Sequence, residues 1–127
     1  MAFSLKLQKA IYDKLSADLS VPVYDCPQQN DAYPYVNVGD DIFTEDGTNT
    51  TNGMLVISTI HVWDNFRGYS RIKGIIDQVY SSLNRVNFAI QDLHLIDCIF
   101  DSSDFFLDSD GKTRHGIITF KILLDEE

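Results

Sequence analysis

Apolar residues recur every three to four positions in two stretches of the chain and close to every second position in most of the rest. In residues 4–20, SLKLQKAIYDKLSADLS, Leu7, Ile11, Leu15 and Leu19 fall on one side of a helical wheel with Ala10 beside them. Lys6, Lys9, Asp13, Lys14 and Asp18 fall mostly elsewhere, so the spacing predicts an amphipathic helix. Residues 68–84, GYSRIKGIIDQVYSSLN, repeat the pattern with Ile72, Ile75, Ile76, Val79 and Leu83 as a core-facing stripe. Gly74 weakens this second helix by about 1 kcal/mol relative to alanine.

The remaining apolar runs read as strands. VPVYDCP, residues 21–27, is short and bounded by prolines, which suits an edge strand or an extended arm. In YPYVNVGDDIF, residues 33–43, Val36, Val38 and Ile42 share one parity, giving a strand with a polar end. MLVISTIHVW, residues 54–63, is apolar at both parities, with Met54, Val56, Ile60 and Val62 on one and Leu55, Ile57 and Trp63 on the other. Such a strand is expected to be covered on both faces. After the second helix come a short FAI (88–90), then LHLIDCIF (93–100) and GIITFKILL (116–124), in which Ile118, Phe120, Ile122 and Leu124 line one face. The order helix, strands, helix, strands predicts a single α+β domain over residues 1–127, with a mainly antiparallel sheet of five or six strands carrying both helices.

Between two of these strands lies a stretch without an apolar residue, formed by Thr44, Glu45, Asp46, Gly47, Thr48, Asn49, Thr50, Thr51 and Asn52 and closed by Gly53. It reads as a long hairpin loop. Another connection, DSDGKTRHG (108–116), imitates two ligand motifs and satisfies neither. A phosphate loop needs glycine where Phe106 stands. A calcium loop needs ligands at Phe106 and Ile117. The segment is a polar turn between two strands.

Composition narrows the function classes. Of 127 residues, 44% are hydrophobic and 23% charged, as in an ordinary folded domain. The net charge of -9, from 19 acidic and 10 basic side chains, disfavours binding to duplex phosphates. Two acidic clusters stand out, Asp40, Asp41, Glu45 and Asp46 in one and Asp101, Asp104, Asp108 and Asp110 in the other, whereas Lys6, Lys9, Lys14, Arg67, Arg71 and Lys73 lie on or beside the helices. No stretch approaches a membrane span, and the N-terminus has no signal-peptide core. Cys26 and Cys98 are far apart, without metal or redox spacing, and are expected to be reduced and buried. Asp40 and Asp41 alternate across a strand and so do not make an acid/base pair. His94 and Cys98 share a strand face but stand ~13 Å apart, too far for one zinc. No cofactor or metal is expected, and no enzyme. The aromatics Trp63, Tyr33, Tyr35, Phe105 and Phe106 lack the basic groove of a single-strand binder and read as core or protein-interface residues.

Taken in order, Tyr24, Asp25 and Pro27, then Pro34, Tyr35, Val36, Gly39 and Asp40, then a strand closing on Trp63, then Gly68-Tyr69 leading into a helix, resemble the tail-completion or tail-terminator proteins of long-tailed bacteriophages. The likeness runs over nearly the whole chain, departing where Asp64 stands in place of a serine. The resemblance implies a structural virion protein, assembled in the host bacterial cytoplasm. Its ring, commonly six-fold, would sit at the head-proximal end of the tail tube, stop tube polymerisation and join tail to head. The implied partners are further copies of the chain, the tail tube protein and a head-completion protein, with DNA passing through unbound and no membrane. On this view the loop 44–52 contacts a neighbour and Asp101, Asp104, Asp108 and Asp110 line the channel. The alternatives are another neck component, such as a head-completion or stopper protein, or a small ligand-binding or hydrolase domain using His61, His94 or Cys98 in a deep pocket.

Overall fold

In a computed structural model, residues 3–26, 32–45 and 53–126 are described. The first apolar stripe forms α1 (Phe3–Asp18), burying Phe3, Leu7, Ile11 and Leu15. The second forms α2 (Ser70–Leu83), burying Ile72, Ile75, Ile76, Val79 and Leu83. Between and after them run β1 (Val23–Tyr24), β2 (Tyr35–Glu45), β3 (Met54–Asp64), β4 (Leu93–Leu107) and β5 (Arg114–Glu126). The five strands make one sheet in the order β1-β2-β3-β5-β4. All pairings are antiparallel except β1 on β2, which is parallel. The fold is α+β in the expected order, with FAI contributing only an isolated bridge between Ile90 and Leu93.

Both helices lie on one face. Beneath them Val36, Val56, Ile60, Val62, Ile118, Phe120, Ile122 and Leu124 are wholly buried with the helix stripes in one core. Burying each such side chain contributes about 1.5–3 kcal/mol before the entropy of ordering is counted. Gly116 lets α2 come close, because a Cβ there would stand 3.3 Å from Ile72 Cδ1 and 3.4 Å from Ile76 Cδ1.

The turn from β3 into α2 is built on Asp64, which is fully buried. Its carboxylate accepts the backbone N–H groups of Asn65 at 2.8 Å and Phe66 at 3.2 Å, and Arg71 Nε donates to both of its oxygens at 3.1 Å. Serine at this position would accept one of these N–H groups but would leave Arg71 without a counter-charge. The aspartate is thus a coherent local solution, pairing a buried anion at the end of β3 with Arg71 in the first turn of α2.

Three β-bulges change which side chains reach the core. In β2 the register shifts between Gly39 and Asp41, with Asp40 at φ 62°, so Asp41 and Phe43 turn toward the helices and Ile42 turns away, 65% exposed. The expectation that Ile42 shares the face of Val36 and Val38 is therefore corrected. In β4, shifts between Leu95 and Asp97 and between Phe100 and Ser102 do the same. The first buries Cys98 and leaves His94 exposed, so these two do not share a face. An extra residue on one strand reverses the alternation beyond it. Both cysteines are free, with Cys98 buried and Cys26, contrary to expectation, exposed.

Two further expectations are revised. Thr44 and Glu45 belong to β2, paired with Leu55 and Met54, and are not loop residues. Asp46, Gly47, Thr48, Asn49, Thr50, Thr51 and Asn52 lie outside the described residues. In β3 the parity of Met54, Val56, Ile60 and Val62 is buried, but Leu55 is exposed and Ile57 and Trp63 are only half-buried, because both helices occupy the same side of the sheet.

Candidate functional site

The face of the sheet opposite the helices gathers the side chains that the core does not use. At one end, adjacent strands place Tyr35, Trp63, His115 and Phe106 in a single row across β2, β3, β5 and β4. The rings touch: Trp63 stacks on His115 with centroids 3.7 Å apart, Phe106 meets His115 edge-on at 4.8 Å, and Tyr33 stacks on Tyr35 at 5.5 Å. Aromatic pairs in these geometries contribute about 0.5–1.5 kcal/mol beyond their buried area. One register step away, His61 lies nearly parallel to His115, edge to edge, with centroids 4.9 Å apart. At the other end of the face Ile42, Ile57, Leu55 and Leu123 make an apolar patch, with Ile42 and Leu55 exposed.

A polar chain crosses the aromatic end. His61 Nδ1 lies 2.7 Å from His115 Nε2, and His61 Nε2 lies 2.6 Å from Asp40 Oδ2. Burial, then the neighbouring His61, push the His115 imidazole down to about 4, with Asp108 pulling the other way. The bulge that turns Ile42 outward also carries Asp40 to this position, so Asp40 and Asp41 diverge as expected: Asp41 accepts a hydrogen bond from Ser58 Oγ at 2.8 Å on the helix side. Burial holds the Asp41 carboxyl above its usual range. His61, His115 and Asp40 are far apart in sequence, and only the β3–β5 and β2–β3 registers bring them together. No local motif signals the trio.

Cys98 stands away from it, on the helix-covered side of β4, and burial, helped by Asp97, pushes its thiol up to about 12. It is a buried thiol with no tendency to ionise near neutral pH. Among the described residues no three His, Cys, Asp or Glu side chains are grouped so as to hold a metal ion.

The four acids of β4 and the following turn are not equivalent. Asp101 sits at the second β4 bulge, 3.7 Å from Lys121 Nζ. Asp104 is on the open face, opposite Ile117. Asp108 opens the hairpin, its N–H donating to Thr113 O at 2.7 Å. Asp110 turns inward on its own loop, accepting the N–H groups of Lys112 and Thr113 and the Thr113 hydroxyl at 2.6 Å. Those bonds, the hydroxyl's first, hold its carboxyl at about 2. Residues 108–113 are thus the connection between β4 and β5, as the sequence requires, with Gly111 supplying φ 73°.

The sheet also leaves edges. β4 is the last strand, and the chain following α2 covers only part of it, where Arg85 N–H donates to Cys98 O at 2.7 Å and Asn84 Oδ1 accepts from Phe100 N–H at 2.8 Å. Beyond that, β4 faces outward with Ser102, Asp104 and Phe106 exposed. Among the described residues, an α+β fold with an exposed strand edge and a half-apolar sheet face defines the class of protein.

The comparisons with known proteins give that class a family. Residues 9–125 match the family described as "Tail completion protein gp17", and the chain belongs to it. The tail completion protein gp17 of Bacillus phage SPP1 is 26% identical over 129 residues, an alignment covering 96% of this chain and 94% of that protein. Among solved structures, a chain from the virion of a native gene transfer agent particle superposes with a TM-score of 0.89 at 21% identity, covering 98% of each chain. The bacteriophage SPP1 gp17 protein superposes with a TM-score of 0.58 at 23% identity, over 94% of this chain and 88% of that one. These two likenesses carry the fold.

Proposed function

We propose that the chain is a non-catalytic virion protein that completes a phage-type tail, forming a ring at its head-proximal end that stops tube growth and joins tail to head. The observation that carries this reading is the family match over residues 9–125. A neighbour of the same fold within a virion particle agrees with it.

The geometry suits the role. A ring subunit meets identical neighbours through two different patches, and this chain has an exposed strand edge and a semi-apolar sheet face to offer. The ring is six-fold, and its partners are the tail tube protein below and a head-completion protein above. The stretch 44–52, of which Thr44 and Glu45 end β2, contacts an adjacent subunit or the tube. Asp101, Asp104, Asp108 and Asp110 contribute to an acidic channel past which DNA slides without adhering, and Asp110 also holds its own turn.

The test is deletion of the gene, with tails inspected by electron microscopy. Overlong tails lacking heads are the expected result. Tails of normal length beside heads that leak DNA would instead make the chain a stopper. Complementation with a variant shortened across residues 46–52 is expected to yield folded protein that fails to restore tail length.

A further inference from the structure

We propose that Asp40, His61 and His115 form a one-proton fastening on the open face of the sheet, which holds with the imidazole pair neutral or singly protonated and parts when a second proton binds.

Each gap in the chain, 2.6 Å to the carboxylate and 2.7 Å between the rings, needs one hydrogen between its heavy atoms. The network assigns the tautomers. His61 Nε2–H donates to Asp40, which leaves Nδ1 of the neutral ring as an acceptor, so His115 Nε2–H must donate to it. A proton taken from solvent at His115 Nδ1 allows the Nε2 hydrogen to pass to His61 Nδ1. One proton has then been gained, both gaps remain filled, and the positive charge rests on His61 beside the Asp40 carboxylate. A second proton, on His115 Nε2, would set two N–H donors face to face with no acceptor between two cations. The rings must then separate.

Burial and the neighbouring imidazole resist that second proton, while the carboxylates around the pair favour it. His115 is held between Trp63 and Phe106 and is only 8% exposed. The charged groups around the pair come from every neighbouring strand. Asp40 is on β2, Asp104 is on β4 in the row of His61, and Asp108 acts on His115 from the hairpin. Lys121 lies further along β5, within 3.7 Å of Asp101. Arg114 turns to the other side, toward the Phe66 carbonyl at 2.8 Å and the Tyr69 ring. Parting the rings converts the aromatic end of the open face from a neutral stacked cluster into one carrying two cations, which weakens its fit to any apolar partner.

Trp63 is the only tryptophan in the chain, so its fluorescence reports the charge of the ring stacked upon it. Titrating the full-length protein from pH 8 to pH 3 is expected to give a quenching step well below the ordinary histidine value. In His61→Gln, where no neighbouring cation opposes protonation of His115, the step should move to higher pH. Nitrogen-15 NMR of the imidazoles at pH 7 is expected to find His61 as the Nε2–H tautomer, and uptake of the first proton should switch His115 to Nδ1–H. A wild-type step at the ordinary histidine value, unmoved in His61→Gln, would overturn the proposal. So would a neutral His61 carrying its proton on Nδ1. If circular dichroism shows acid unfolding before the quenching step, or His61→Gln does not fold, the tautomers of the wild type at pH 7 decide alone.

Discussion

Phe120 and Ile42 are both large and apolar and lie on the same sheet, yet Phe120 is fully buried beneath the helices and Ile42 is 65% exposed on the opposite side. The contrast is repeated within β3, where Val56, Ile60 and Val62 are dry and Leu55, Ile57 and Trp63 are partly wet. Hydrophobicity of the strand does not explain the difference, since both parities are rich in β-branched and large side chains. The helices do, because both pack on one side. The helix-covered face is organised as a core with interdigitated aliphatic side chains, and its interactions stabilise the monomer. The open face is organised in patches, aromatic at one end and aliphatic at the other, with a hydrogen-bonded His–His–Asp chain on the first. Apolar side chains left at a surface in this arrangement gain little for the isolated fold and are suited to contact with another chain.

The largest effect should come from the covered face. Phe120→Ala removes a ring surrounded by core and should destabilise by about 3–5 kcal/mol, read from urea unfolding. A loss no greater than that of a surface substitution would mean that the core does not depend on this ring. Gly116→Val tests the close approach of α2, forcing two methyl groups toward Ile72 and Ile76, and should cost about 1–3 kcal/mol by overpacking. Unchanged stability would show that the helix has room to move away from the sheet.

A milder and pH-dependent loss should arise on the open face. Because the folded-state value of His115 is lowered from 6.5 to about 4, the unfolded chain takes up this proton first as acid is added. Stability is therefore complete, for this group, above pH 6.5 and falls as the pH drops from 6.5 toward 4. The contribution of Asp110 lies in a lower window, present above pH 3.8 and lost as the pH falls toward 2. Thermal melts at closely spaced pH values should show the upper window flattening in His115→Gln and persisting in Asp110→Asn. The smallest effect on folding is expected from Ile42→Ser, within about 0.5 kcal/mol of wild type. The same variant should reduce assembly, measured by the size of the particles formed, and normal assembly would remove Ile42 from the proposed contact surface.

How much of this was legible in the sequence depends on how local the determining interaction is. The helix stripes of Leu7, Ile11 and Leu15 and of Ile72 through Leu83 were written in their spacing, since a helix fixes which residues share a face within a few positions. The turn at residues 108–113 was equally plain, because glycine and aspartate at set positions specify it locally. The order helix, strands, helix, strands followed from those elements. The faces of β2 and β4 did not. A bulge inserts one residue into a strand, and from there onward the alternation that marks inside and outside is reversed, so Ile42, His94 and Cys98 were placed correctly only by pairing with neighbouring strands. Nor did the sequence reveal that His61, His115 and Asp40 meet, since each sits in an unremarkable strand and their contact exists only through two strand registers. What the sequence by itself determined were the elements whose signals are short-range. Strand order, bulge position and the side of the sheet taken by both helices were decided by tertiary structure, because each depends on burying apolar surface against residues distant along the chain.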